Sequence, residues 1–125
     1  MSTTTLTDVR TVAVSVSDQD RAVQFYVDTL GFEKRIDIPV GDGRRWIEVA
    51  PPGADVSIAL TVTLGTSETG VDSGIRLTTP DADAEHVSMQ RRGISTGEVL
   101  RWPDVPAMFT FLDVDGNTLY VIEAE

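Results

Sequence analysis

The sequence repeats itself at a spacing of 63 residues, and this repeat limits the fold more than any other feature of the 125-residue chain. Apolar matches between Val and Ile arise easily by chance, but Asp, Gly and aromatic positions recur as well. The matched pairs are Val12 with Ile75, Val14 with Leu77, Asp18 with Asp81, Asp20 with Asp83, Trp46 with Phe109, and Gly53 with Gly116. A repeat of this length predicts two copies of one supersecondary unit.

The first copy opens with a strand and a helix. Val12, Val14 and Val16 alternate with small residues, which is the period of a half-buried strand. Asp18 is a suitable N-cap for a helix that ends at Gly31, where a left-handed cap is wanted. The residues at helical spacing between them are Ala22, Val23, Phe25, Tyr26 and Leu30.

The remaining segments complete two βαβββ modules. In the first half, strands are predicted at 32–40, 45–50 and 56–64, with a tight hairpin turn at 41–43. In the second half, we predict strands at 74–79, 94–100, 107–112 and 118–123, a helix between Asp81 and Gly93, and a turn at 115–117. The predicted class is α+β in a single domain, with module one at about 9–64, a linker at 65–72 and module two at about 73–125.

Composition narrows the possible partners. The chain has no cysteine and carries 20 acidic against 10 basic residues, a formal net charge of −10. This charge opposes binding to nucleic acids and anionic membranes; it gives a mild preference for a cationic ligand, or serves only to keep the protein soluble. No signal peptide or membrane span is recognisable, so we expect a cytoplasmic protein.

Three segments carry a family resemblance: VSVSDQDRAVQFYVDTLGF (14–32), TTPDADAEHVSMQRRGI (78–94) and FLDVDGNTLYVIE (111–123). They resemble the vicinal oxygen chelate superfamily, which includes glyoxalase I, extradiol dioxygenases and bleomycin-resistance proteins. The resemblance implies tandem βαβββ modules that form a curled mixed sheet around a cavity, with the helices outside. It also implies a homodimer and, in the enzymes, a divalent metal on the cavity floor.

The metal-ligand positions implied by the resemblance are occupied by Thr11, Ser57, Gly74 and Tyr120, where the family has His, Glu or Gln. Hydroxyl groups and glycine are poor ligands for a divalent metal with open coordination. We therefore expect no metal and no cofactor, and the enzymatic activities of the family do not carry over. The single histidine, His86, is expected on the second helix, exposed or packing against it.

Strand alternation then places neighbouring side chains at the same cavity. Arg76 should share the face of Gly74 and pair with a ligand carboxylate or phosphate. The alternatives are an ion pair with an internal acid such as Glu48 and a solvent-exposed position. Trp46 and Trp102 could stack on a flat ligand or simply pack. Asp113 and Asp115 fit a turn better than a catalytic pair. No catalytic residue is assigned, and the candidate ligand-binding residues are Thr11, Trp46, Ser57, Arg76, Trp102, Phe109 and Tyr120.

These observations favour a metal-independent small-molecule-binding protein of the glyoxalase/bleomycin-resistance type that sequesters an aromatic or cationic compound. The alternative is a divergent enzyme of the same superfamily that uses Tyr120 or Arg76, or a metal placed elsewhere. A third and weaker hypothesis is an interaction domain without a small ligand.

Overall fold

The computed structural model describes residues 3–62 and 68–124. In chain order the elements are β1 (Thr11–Ser15), α1 (Gln19–Val23) with a π-helical continuation (Gln24–Thr29), β2 (Glu33–Gly41), β3 (Arg44–Ala50), β4 (Ser57–Thr61), β5 (Asp72–Thr79), α2 (Ala82–Arg91), β6 (Met108–Leu112) and β7 (Thr118–Glu123).

The strands form two open, curled sheets, in the orders β1-β4-β3-β2 and β5-β7-β6. In each sheet the first strand of the module runs parallel to its last strand, and the other pairings are antiparallel. A parallel pair needs a long crossover connection, and the helix supplies part of it. The α+β prediction is confirmed, and the repeat in the sequence appears as repeated strand order.

The first helix begins and ends where the sequence predicts, but it is not a regular α-helix throughout. The Asp18 side chain accepts a hydrogen bond from the backbone N–H of Arg21, and Gly31 adopts φ 93° after the last turn. Between them the winding widens, because the N–H of Leu30 donates to the carbonyl of Phe25 at 2.8 Å, five residues back. Such π-helical turns are uncommon and have no simple sequence signal.

Two predicted strands differ in the structure. The strand predicted at 94–100 is wrong: among the described residues it is reduced to two isolated bridges, Thr96 with Phe111 and Leu100 with Met108. Gly97 lies so close to β6 that a Cβ atom there would be 2.8 Å from the Thr110 hydroxyl, and the pairing is interrupted beyond it. The strand predicted at 56–64 is β4 (Ser57–Thr61), and residues 63–67, with the start of the linker, lie outside the described residues.

The two modules share one hydrophobic core and a buried polar connection. The Tyr26 hydroxyl, on the first helix, donates to Asp113 Oδ2 at 2.8 Å in the turn before β7. Asn117 Nδ2 donates to the same oxygen at 3.0 Å and to the carbonyl of Ser15 at 2.9 Å. Burial and the charge of Asp113 raise the pKa of Tyr26 far above its usual value, so the phenol remains a donor.

This connection can be tested with a matched pair of substitutions. Tyr26→Phe removes a buried hydrogen bond to an ionised carboxylate and should lower the free energy of unfolding by about 1.5–3 kcal/mol. Tyr120→Phe removes the same kind of bond from an exposed pair, Tyr120 with Asp72, and should cost clearly less. Urea unfolding at pH 7 measures both, and equal losses would contradict the importance of the buried contact.

Candidate functional site

One face of each sheet is covered by the helices, and the opposite face is here called the inner face. In the first sheet, register pairs Thr11 with Ser57 and Ala59 with Glu48 on the inner face. Trp46 lies two residues before Glu48 on β3 and therefore shares that face. The alternate residues, among them Val14 and Leu60, enter the core.

In the second sheet, the inner face carries Arg76 opposite Tyr120 and Thr78 opposite Ile122. Asp72 pairs with Thr118 and Arg76 pairs with Tyr120, so β5 advances four residues while β7 advances two. Arg76, rather than Gly74, consequently lies opposite Tyr120, in the place that Thr11 holds opposite Ser57. The constant spacing of the repeat concealed this shift; a glycine inside a predicted strand was the signal that could have revealed it.

The hydroxyl groups at the expected ligand positions are already hydrogen-bonded. Thr11 Oγ1 donates to the carbonyl of Ser57 at 3.1 Å, and Ser57 Oγ donates to Glu48 Oε1 at 2.6 Å. The Tyr120 hydroxyl donates to Asp72 Oδ2 at 2.6 Å, and this bond raises the pKa of Tyr120 above its usual value. The same bond, with the N–H of Gly74, lowers the pKa of Asp72.

The side chains of Thr11, Ser57 and Tyr120 are unsuitable ligands for the divalent metal that the resemblance implies in the enzymes. Tyrosine ligates a metal as the phenolate, which the bond to Asp72 disfavours, and Thr and Ser hydroxyls are weak ligands. The guanidinium of Arg76 lies 4.5 Å from the centre of the Tyr120 ring and would repel a cation there. Within residues 3–62 and 68–124, no three His, Cys, Asp or Glu side chains are grouped to hold a metal.

Glu48 is a charged residue at the centre of the first inner face. Its side chain accepts hydrogen bonds from Ser57, from Trp46 Nε1 at 2.8 Å and from Arg10 at 3.3 Å, although the residue is only 3 % exposed. The bond from Ser57 is the largest factor that lowers the pKa of Glu48. The suggested pairing of Arg76 with Glu48 is wrong, because Arg76 donates to the carbonyl of Gly74 at 2.7 Å.

A cleft of about 500 Å³ lies between the edge strands β1 and β5. Val12 and Ser57 line it from the first sheet, and Ile75 and Arg76 from the second, with residues 51–56 at one side. Ser57 also lines a smaller recess of about 200 Å³ that contains Glu48. The exposed guanidinium of Arg76 and the buried carboxylate of Glu48 are thus reached from adjoining spaces.

The structure brings five of the seven predicted site residues onto the inner faces: Thr11, Trp46, Ser57, Arg76 and Tyr120. Trp46 is 37 % exposed there, whereas Trp102 lies in the loop before β6 and is 52 % exposed. Phe109 was a candidate ligand-binding residue, although core packing was expected for at least one of Met108 and Phe109. It is fully buried on the core face and packs edge-on against His86, with ring centres 5.0 Å apart, so it does not line the inner face.

His86 and the turn that contains Asp113 and Asp115 stabilise the fold through hydrogen bonds to the backbone. The His86 Nε2 atom lies 2.8 Å from the carbonyl oxygen of Gly97, so the ring holds α2 against the segment beside β6. This agrees with the expected helix-packing role. The Asp113 carboxylate accepts hydrogen bonds from the backbone N–H groups of Asp115 and Asn117, as expected for a turn.

Comparison with known proteins agrees with this architecture. Residues 9–121 match the profile of the Glyoxalase/Bleomycin resistance protein/Dioxygenase superfamily, and the chain belongs to this family. It is 31 % identical to "Uncharacterized protein YetH" of Bacillus subtilis (strain 168), covering 92 % of this chain and 97 % of that protein.

Solved structures of relatives superpose over nearly the whole chain. TnmS3, described as an antibiotic binding protein from Streptomyces sp. CB03234, is 35 % identical with a TM-score of 0.86, covering 98 % of this chain and 99 % of its own. A superfamily member from Sphaerobacter thermophilus DSM 20745 is 33 % identical with a TM-score of 0.87, covering 95 % and 98 %. In the described part of the chain, no helix is long and apolar enough to cross a membrane.

The acid sensitivity of the fold should depend on Glu48. Because the pKa of Glu48 is lowered on folding, its contribution is present above about pH 4.3 and is lost as the pH falls through the lower folded value. Glu48→Gln should therefore reduce the free energy of unfolding by about 1–3 kcal/mol at pH 7 and by much less at pH 3. Urea unfolding at both pH values measures this.

The exposed Glu68→Gln variant serves as the control, with an expected change within about 0.5 kcal/mol at either pH. A deficit of Glu48→Gln that is the same at pH 3 and pH 7 would show that the charge of Glu48 does not contribute.

Proposed function

We propose that this protein binds a small, flat organic compound on its inner faces, at the cleft between β1 and β5 and the adjoining recess beside Glu48, and sequesters it without metal and without turnover. The proposal rests on the hydrogen bonds that already occupy the side chains at the expected metal-ligand positions. Their hydroxyl groups are bonded to a carbonyl and to two carboxylates, and a guanidinium lies beside Tyr120. Such an arrangement suits recognition by shape and a few polar contacts.

The composition of the inner faces supports a flat ligand. Trp46 and Ile38 are paired across β2 and β3 and both are partly exposed, which offers an apolar and aromatic surface. Arg76 keeps N–H groups beyond the one bonded to Gly74, and these can bind a ligand carboxylate, sulfonate or phosphate. The description of TnmS3 as antibiotic binding, at 35 % identity, supports an antibiotic-like compound as ligand.

We also propose a homodimer, as the family resemblance implies. Residues 3–10 before β1 are exposed along their whole length, including the apolar side chains of Leu6 and Val9. This segment leaves both apolar side chains available for contact with a second chain. Native mass spectrometry of the purified protein counts the subunits and reveals any retained compound or metal ion in the same spectrum.

A metal-free enzyme is the second candidate, and the Tyr120–Asp72 pair favours it. The phenol donates to Asp72 at 2.6 Å, and the Arg76 guanidinium lies 4.5 Å from the centre of its ring. A bound substrate that takes this hydrogen bond from Asp72 would then face an acid next to a positive charge. Tyr120→Phe distinguishes the two functions, because an enzyme would lose turnover with binding intact. Under the sequestration proposal, no turnover exists to be lost.

The ligand test uses 8-anilinonaphthalene-1-sulfonate, a flat anionic aromatic compound whose fluorescence rises in apolar sites. We expect saturable binding, and Arg76→Ala should weaken it about tenfold because a charge-assisted contact is lost. Arg91→Ala is the matched control, since it removes the same charge from an exposed position on α2 and should leave the affinity unchanged.

Addition of Zn²⁺, Ni²⁺, Mn²⁺ or Fe²⁺ should leave binding of this probe unchanged. The proposal fails if the purified protein retains one divalent ion per subunit in native mass spectrometry, or if an added metal produces turnover of a chelating substrate. It also fails if Arg76→Ala and Arg91→Ala bind the probe equally well.

A further inference from the structure

Glu48 is a buried carboxylate on a surface that is otherwise suited to ligand binding. A buried charge must be compensated, and the Ser57 hydroxyl and the Trp46 indole N–H supply two neutral donors. The positive charge within salt-bridge distance comes from Arg10, whose NH2 atom lies 3.3 Å from Glu48 Oε2. Whether the charge of Glu48 is available to a ligand therefore depends on how firmly Arg10 is held.

Arg10 is a weakly held partner. Its side chain is 72 % exposed, and it belongs to the exposed segment before β1. The backbone is fixed at this point, because the Arg10 carbonyl accepts a hydrogen bond from the Ser57 N–H at 3.1 Å. An ion pair with one largely exposed partner contributes little to stability, so the guanidinium can leave while the chain stays in place.

A recess beside Glu48 gives a ligand access to the carboxylate. The recess of about 200 Å³ is lined by Glu48, Asp55, Ser57 and Ile36, together with Arg10 and Arg35. The Arg35 guanidinium is engaged elsewhere, with Glu33 at 3.1 Å and with the carbonyl of Pro51 at 3.3 Å.

The indole of Trp46 provides a second element of recognition. Its N–H bond to Glu48 fixes the edge of the ring next to the carboxylate, and the ring remains partly exposed. A carboxylate next to an aromatic ring is a common arrangement for binding flat cations, because both attract positive charge.

We propose that Glu48 is the anionic anchor for a cationic group of the ligand, such as an amidinium or an ammonium, and that Arg10 is an internal competitor which this group displaces. The ring of Trp46 then stacks against the flat part of the ligand. This inference rests on the proposed function and adds the charge class of the compound. It also assigns a role to Arg10, the last residue before β1.

The test uses benzamidine, a flat aromatic cation, with benzamide and benzoate as neutral and anionic compounds of similar shape. Trp102→Phe is introduced throughout, so that Trp46 is the one remaining tryptophan and its fluorescence reports binding. We expect benzamidine to quench this fluorescence saturably, while the other two compounds bind at least tenfold more weakly. Glu48→Gln should weaken benzamidine binding about tenfold or more.

Arg10→Gln gives the sharper result, because loss of the competitor should tighten benzamidine binding by about two- to fivefold. Arg91→Gln removes the same charge from an exposed site on α2 and should leave the affinity unchanged. If Glu48→Gln fails to fold, as judged by circular dichroism, the comparison of Arg10→Gln with Arg91→Gln still decides the outcome.

Equal binding of benzamidine and benzamide, or equal affinities of the Arg10→Gln and Arg91→Gln variants, would overturn this assignment. Both results are independent of the naphthalene sulfonate probe. Binding of that probe without a preference for benzamidine rejects the Glu48 anchor alone, whereas failure of all four compounds to bind rejects the proposed function as well.

Discussion

The carboxylate of Asp113 holds the two halves of this molecule in one arrangement. It is buried, and it accepts hydrogen bonds from Tyr26 of the first module and from three donors of its own turn: the amide of Asn117 and two backbone N–H groups. Asn117 continues the connection to the carbonyl of Ser15 at the end of β1. Because β1 forms one wall of the cleft, the position of that wall depends on a carboxylate that does not line the cleft.

Two carboxylates, of Glu48 and Asp72, also accept hydrogen bonds on the inner faces, where they engage hydroxyl groups instead of joining the two modules. Glu48 accepts a hydrogen bond from the Ser57 hydroxyl, and Asp72 accepts one from the Tyr120 hydroxyl. Ser57 and Tyr120 occupy the positions at which the family resemblance implies metal ligands. A hydroxyl that donates to a carboxylate has its proton directed away from any incoming group. The two charged groups proposed for recognition are the guanidinium of Arg76 and the carboxylate of Glu48, which have opposite charge and lie on different sheets.

The sequence predicted the fold class, both helix starts and the hairpin turn, because each depends on local chemistry: capping by Asp18 and Asp81, and positive φ at Asp42 and Gly43. The strand faces followed from alternation, which is why five of the seven candidate residues share the inner faces. Core packing was expected for at least one of Met108 and Phe109, but which of the two enters the core depends on the pairing of β6 with β7, which the sequence alone does not contain. The partners of Glu48 depend on contacts between distant segments, which a single sequence does not contain.

The shift in register along β5 changes which residue lies opposite Tyr120, but each side chain of the strand stays on its own face of the sheet. Because alternate side chains point the same way, a strand that gains two residues against its neighbour keeps each side chain on its original side. What changes is which residue stands at a given point of the surface, and here a long cation takes the place of a glycine opposite Tyr120. A length change can thus place a charge at a given point of a sheet surface in one step, while the neighbouring side chains keep their faces.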